Sequence, residues 1–396
     1  MKLNRSISLM LASTAFISIA NAAFALDGND VLAKLNALSS PNGTSFAAQG
    51  SEVDGTTVKL SGVTVTMSSI DNKQLPIGDV TLTGVTEEDG GYEIEKASFS
   101  DLNVVENGSG IHAKDIFIEG ISLPAQPEPG TISSLMLAQS FHVGETKITS
   151  DNKEVASIGA FTADYKMADD ESKLDMEAAV SDIKIDTSAT PDPKAKEAIE
   201  ALGLANLNGA LTMKGTWTLA DGKMDVTEYA LDFENLGRLD VNFSISGYTL
   251  EFVKSLQEAM KAANDNPDKA AGQQAMSMAM MGLMQQLSYN GASIRYDDAG
   301  IAPKVLDYAG KQQGVDGKQF AQSIKGMLPL LLAQLNMPEL QNQIVEAANA
   351  FLDDPKSIEV TAEPAQPMPF PQIMGTAMGN PADLAKTLNV QITAND

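Results

Sequence analysis

The residues able to do chemistry are few and poorly spaced for it. The chain holds two histidines, His112 and His142, 30 positions apart, and no cysteine. Without cysteine there is no disulfide, no thiolate metal site and no thiol nucleophile. The acidic pairs Asp169-Asp170, Asp297-Asp298 and Asp353-Asp354 lack the alternating loop spacing of a calcium-binding hand. They read as solvated turns. No nucleophile elbow, phosphate loop, H-E-x-x-H pair or dinucleotide fingerprint occurs. Gly90-Gly91 and Gly108-Ser109-Gly110 read as hairpin turns. These observations name no catalytic residue, cofactor or metal, and point to a protein that is not an enzyme. One enzymatic alternative stays open, a hydrolase of envelope polymers using two carboxylates ~5–9 Å apart.

A different set of side chains stands out. Met276, Met280, Leu283, Met284 and Leu287 recur at helical spacing, with Met278 and Met281 between them. A second stripe holds Ile324, Met327, Leu328, Leu331 and Leu335, in a helix that Pro329 is expected to kink. Methionine adapts to irregular gaps and to varied apolar partners. One reading makes these residues core. The other makes Met276, Met280, Leu283, Met284, Leu287, Met327, Leu328 and Leu331 the lining of a groove for acyl chains, or a docking face.

The elements that must position these side chains are mostly strands. VKLSGVT (58–64) has relatives at VTLTGVT (80–86), ASFSDLN (97–103), IFIEGIS (116–122), AAVSDIK (178–184), LTMKGTW (211–217), LDFENLG (231–237) and IRYDDAG (294–300). Each alternates apolar residues, then places Gly, Asp or Asn fifth. After Gly62 the apolar phase slips by one, onto Val63 and Val65. Such a slip turns later side chains to the other face unless a bulge absorbs it. The fifth residue is therefore either a bulge or a plain turn, and both predict one strand per copy in a long antiparallel sheet.

Charge and the ends of the chain bound the role. There are 27 Lys and Arg against 52 Asp and Glu in 396 residues, a net charge of −25. No basic stripe exists to neutralise nucleic-acid phosphates. Residues 1–25 read as a secretory leader, with Lys2 and Arg5, an apolar run, and A-x-A sites ending at Ala22 and Ala25. It is cut at one of these or retained as an anchor. No later run is long and apolar enough to span a membrane, so export to a periplasm is expected.

In chain order the pattern predicts a short helix at 30–38 and a repetitive sheet body over 26–246. Turns are expected at Asp71-Asn72, Asp89-Gly90-Gly91 and Asn107-Gly108, and a linker over Pro124–Gly130. A Pro-started helix follows at 191–203. Residues 247–356 form a helical block, with helices over 250–263, 268–287, 302–313, 317–335 and 338–352 and one strand at 293–297. Residues 357–396 add a strand at 357–362, an extended Pro-rich connection over 364–371, a helix at 381–387 and a strand at 388–393. The fold class is α+β, mainly antiparallel β: an elongated, curved, repetitive sheet with a C-terminal helical cap or insertion.

At the repeats, and at DDAGIAPKVLDYAGKQQG (297–314), the chain resembles the AsmA-like group and related exported proteobacterial envelope proteins of unknown function. The resemblance implies an elongated curved sheet with an apolar inner face, and a role in envelope maintenance or lipid handling. No site residue carries over from it. The expectation is an exported, non-enzymatic envelope protein. It binds lipid or another apolar ligand between sheet and Met-rich helices, or it is a structural protein with a packed core that meets an envelope protein.

Overall fold

The computed structural model describes residues 26–40, 43–67, 73–106, 108–128, 130–134, 138–188, 190, 192–333 and 338–396. The expected leader 1–25, the turn at Asp71-Asn72, and Asn107, Pro129, Pro191 and Leu335 lie outside them. The described residues form one open, curved antiparallel sheet with helices mostly toward the C-terminus, an α+β fold.

The sheet starts with β1 (Thr44–Ala47), β2 (Gly50–Asp54), β3 (Thr57–Met67) and β4 (Lys73–Thr83), where β1 and β2 share one edge of β3. β5 (Thr86–Glu88) and β4 then pair with β6 (Gly91–Phe99). Next come β7 (Leu102–Glu106), β8 (Ser109–Ala113), β9 (Phe117–Leu123), β10 (Ser140–Val143), β11 (Thr146–Ser150), β12 (Lys153–Ile158), β13 (Ala160–Met167) and β14 (Lys173–Asp186). These separate into two ribbons. One runs β6–β9–β10–β13 and joins the first half of β14. The other runs β7–β8–β11–β12 and joins the second half of β14.

The boundary between the ribbons is a crease, and the repeat explains it. Register shifts flank Gly62 in β3 and Asp182 in β14, which sit at φ 57° and 50°. Both are bulges at left-handed positions, where Gly is free and Asp is tolerated. The Gly62 amide donates to Asp79 Oδ1 at 3.0 Å, so the neighbouring strand braces the corner. A Cβ on Gly62 would lie 2.6 Å from the Gln49 side chain, and one on Gly159 would lie 2.6 Å from Asp182 Oδ2. The crease thus runs through residues 62, 79, 100, 115, 144, 159 and 182. Gly120 holds φ 62° inside β9, and Gly215 marks a register shift in β15. Gly84, Asp101, Asn235 and Asp298 instead stand at strand ends. Bulge and strand end therefore both occur among the repeats.

Beyond the crease the sheet continues through β15 (Asn206–Thr218), β16 (Lys223–Phe233), β17 (Gly237–Ser246), β18 (Ser288–Asp298), β19 (Ser357–Ala362), β20 (Met368–Pro369) and β21 (Val390–Ala394). β18 is longer than the expected 293–297. Its Asn290-Gly291 stays in the sheet because the register shifts between Ser244 and Ile245 of β17.

Helix α1 (Gly28–Ser39) covers the first sheet segment, where Val31, Val58, Leu60, Val80, Leu82 and Ile94 share a buried core. Tyr92 donates to Asp30 of α1 at 2.8 Å. Burial, then that bond, pushes the phenol up to about 12. α2 (Pro193–Leu202) starts on Asp192 and ends at Gly203 in a left-handed cap. α3 (Leu250–Asp265) and α4 (Lys269–Met284) form a hairpin, capped by Thr249 and Asp268. α5 (Ile301–Gln312), α6 (Gly317–Leu332) and α7 (Pro338–Asp353) pack in sequence. α8 (Phe370–Gly379) replaces part of the expected extended connection. Its Pro371 fits because first-turn amides have no intrahelical acceptor to lose. α9 (Pro381–Thr387) precedes β21.

Replacing Gly62 by Ala should destabilise the protein by about 1–2 kcal/mol, from the left-handed backbone and the Gln49 clash together. Chemical denaturation measures this. Gly203→Ala is strained in the same way, but nothing lies within 4 Å of its would-be Cβ, so its loss should be smaller.

Candidate functional site

Strand pairing places apolar residues in rows on one face. Val143, Phe161, Val180, Leu211, Leu231, Leu239, Tyr296, Ile358 and Ala394 are successive cross-strand partners from β10 to β21. A parallel row holds Val241, Ile294, Val360 and Ile392. Another holds Val226, Phe243, Ala292, Ala362 and Val390. Period-2 alternation puts all of them on one surface.

Helices cover the ends of this surface and leave its middle open. At one end Trp217 and Leu174 are buried with Val253 of α3, and the Trp217 indole donates to the Tyr248 carbonyl at 2.7 Å. At the other end Phe351 of α7 meets Tyr296 edge-on, with centroids 6.5 Å apart. Gln343 of α7 accepts from the Ile392 amide at 3.0 Å, capping the edge of β21. Between these covers Leu239 is 37%, Phe243 38%, Ile294 51% and Val360 39% exposed.

The opposite face is charged and closed upon itself. Arg238 Nη2 reaches Glu228 at 2.7 Å and Asp240 at 2.8 Å, while Lys214 stands 3.1 Å from Glu228. Arg295 joins Asp297 at 2.8 Å and Glu359 at 3.2 Å. The Arg238 hydrogen bond, then that of Lys214, lowers the Glu228 carboxyl to about 2. The two faces thus differ sharply: ions paired with one another on one, large apolar side chains in water on the other.

The helical residues predicted to line a groove do not converge on one cavity. Met276, Met284 and Leu287 are half-buried, Leu283 is buried, and Met280 is exposed. Leu328 is half-buried, whereas Met327 and Leu331 are exposed. α4 packs chiefly on α3, and α6 on α5 and α7. The continuous apolar surface belongs to the strands. Its signal in the sequence is the alternation of Leu239, Val241, Phe243 and Ile245, which the methionine pattern overshadowed.

The groups that could have done chemistry have structural partners. His142 stacks on Phe117 at 4.5 Å. Asp170 accepts from the Ser172 amide and hydroxyl. Asp298 accepts from the Gly300 and Ala302 amides at the start of α5. Asp297 pairs with Arg295, Asp353 with Lys325 and Asp354 with Lys356. Among the described residues no three His, Asp or Glu side chains are grouped to hold a metal. Among them, too, no helix is long and apolar enough to cross a membrane.

A family model described only as an uncharacterized protein matches residues 230–395. That span begins in β16 and includes the open apolar face with the helices that flank it. No curated protein matches the chain.

Glu228 supplies a pH test. Its folded pKa lies below the ordinary 4.5, so its contribution is complete above that value and is lost as pH falls toward about 2. Stability measured by urea unfolding across this window should fall less steeply in Glu228→Gln than in the parent, because the variant has no such carboxylate to protonate.

Proposed function

We propose that this is an exported, non-enzymatic envelope protein that holds the acyl chains of a lipid against the open face of β16–β19. The supporting observation is the set of in-register side chains Leu239, Phe243, Ile294 and Val360, which stay 37–51% exposed between α3 and α7. An apolar patch of this kind marks a contact surface. A chain laid along it removes methylenes from water at ~0.8 kcal/mol each, so about ten contribute roughly 8 kcal/mol before ordering costs. Export rests on the leader-like residues 1–25, and the envelope role on the resemblance of the repeats.

A second reading has its own observation. Among the described residues β7 is hydrogen-bonded to β8 alone, and β4 before Asp79 to β3 alone, so two strand edges diverge from the bond between Ser100 N and Asp79 O. Val104, Ile111 and Ile148 form an exposed row leading to that edge. An envelope protein that adds a strand to β7 would extend the row.

Mass spectrometry of organic extracts from protein purified out of its native host tests the first reading. Lipid should accompany the parent in near-stoichiometric amount. Ile294→Glu puts a charge on a half-exposed apolar position and should cut that lipid at least tenfold. Thr361→Glu, on the opposite face, should leave it unchanged. A parent that carries no lipid, or an Ile294→Glu variant that carries as much, defeats the reading.

A further inference from the structure

Helix α4 presents sulfur to water in a way that packing does not explain. The helix turns its Gly272 and Leu283 inward, and both are buried. Met278, Met280 and Met281 are 63%, 37% and 65% exposed. A methionine recruited to fill a gap lies beneath its neighbours, and these do not. From Ala270 to Met284 the helix has no charged side chain. The exposed surface over this stretch is therefore uncharged, with the thioethers standing beside Gln273, Gln274, Ser277 and alanines.

Helical geometry groups three of these sulfurs. With 3.6 residues per turn, positions 280, 281 and 284 project into one sector about 100° wide and lie within about one turn of each other. Met284 is i+4 from Met280 and i+3 from Met281, so its Cβ is about 5–6 Å from each of theirs. Each side chain is unbranched with three rotatable bonds, so the sulfurs can meet above the helix surface. Met278 flanks the group at i−3 from Met281.

Thioether sulfur is a neutral, soft donor. It serves Cu(I), while carboxylate and carbonyl oxygens serve Mg, Ca and Mn. The chain has no cysteine, so methionine is its sole source of sulfur ligands. Three neutral donors leave the ion's charge uncompensated, and a protein of net charge −25 offsets that at long range.

We propose that Met280, Met281 and Met284 form a surface site for a monovalent soft cation, Cu(I) or its redox-inert stand-in Ag(I), with Met278 as an auxiliary donor. The step is ligation alone, with no change of oxidation state. It is independent of the lipid reading, since it uses the outer side of α4 and not the sheet face.

The test is an anaerobic titration of the full chain with Cu(I) against a chromophoric Cu(I) chelator. The parent should withhold one equivalent. The variant M280L/M281L/M284L should lose that equivalent, with at least a tenfold fall in affinity. Leucine keeps volume and apolarity, so its circular dichroism, unfolding midpoint and lipid content should match the parent. In M374L/M378L, which removes two exposed thioethers from α8, the equivalent should persist. With Ag(I), the methionine methyl resonances of residues 280, 281 and 284 should shift. The proposal is overturned if the parent yields all its Cu(I) to the chelator at micromolar protein. It is equally overturned if the triple leucine variant retains the equivalent, or if M374L/M378L abolishes it.

Discussion

The structure depends on keeping one face of a bending sheet apolar. A strand exposes alternate side chains to opposite faces, and a bend that inserts a residue would invert the alternation. Gly62 and Asp182 absorb the extra residue at positive φ, so apolar residues return to the same side after the corner. Asp79 accepting from the Gly62 amide fixes one such corner from the adjacent strand. Rows of apolar partners can then run from β10 to β21 without interruption.

A face that long must be covered or occupied. α1 covers its beginning, α3 the Trp217 region, and α7 the last strands. None of these hides Ile294 or Val360. The charged face behind them is not an alternative surface for apolar contact, because Arg238 and Arg295 are each held by two carboxylates within 3.2 Å. The two faces therefore differ in chemistry, one ion-paired and the other apolar.

Much of this was legible in the sequence. Alternation revealed the strands, proline at the start and Gly203 at the end marked α2, and the phase slip after Gly62 pointed to a bulge or a turn, of which the structure has the bulge. Three features were not. α8 begins inside a Pro-rich string, where local composition favours extended chain but the first helical turn tolerates Pro371. β18 holds an Asn-Gly pair that reads locally as a turn, and only pairing with β17 keeps it in the sheet. The candidate site moved from the methionine helices to the strands because exposure is a tertiary property. Helical spacing groups Met280 with Met284, yet cannot say whether a sheet lies beneath them.

The most direct measurement places a photo-crosslinking amino acid at single positions in the native host and identifies what it captures. Positions 294 and 295 are adjacent in β18 but face opposite sides of the sheet. The account predicts lipid adducts from position 294 and none from 295. Lipid captured equally from both positions, or protein alone captured from 294, would contradict it.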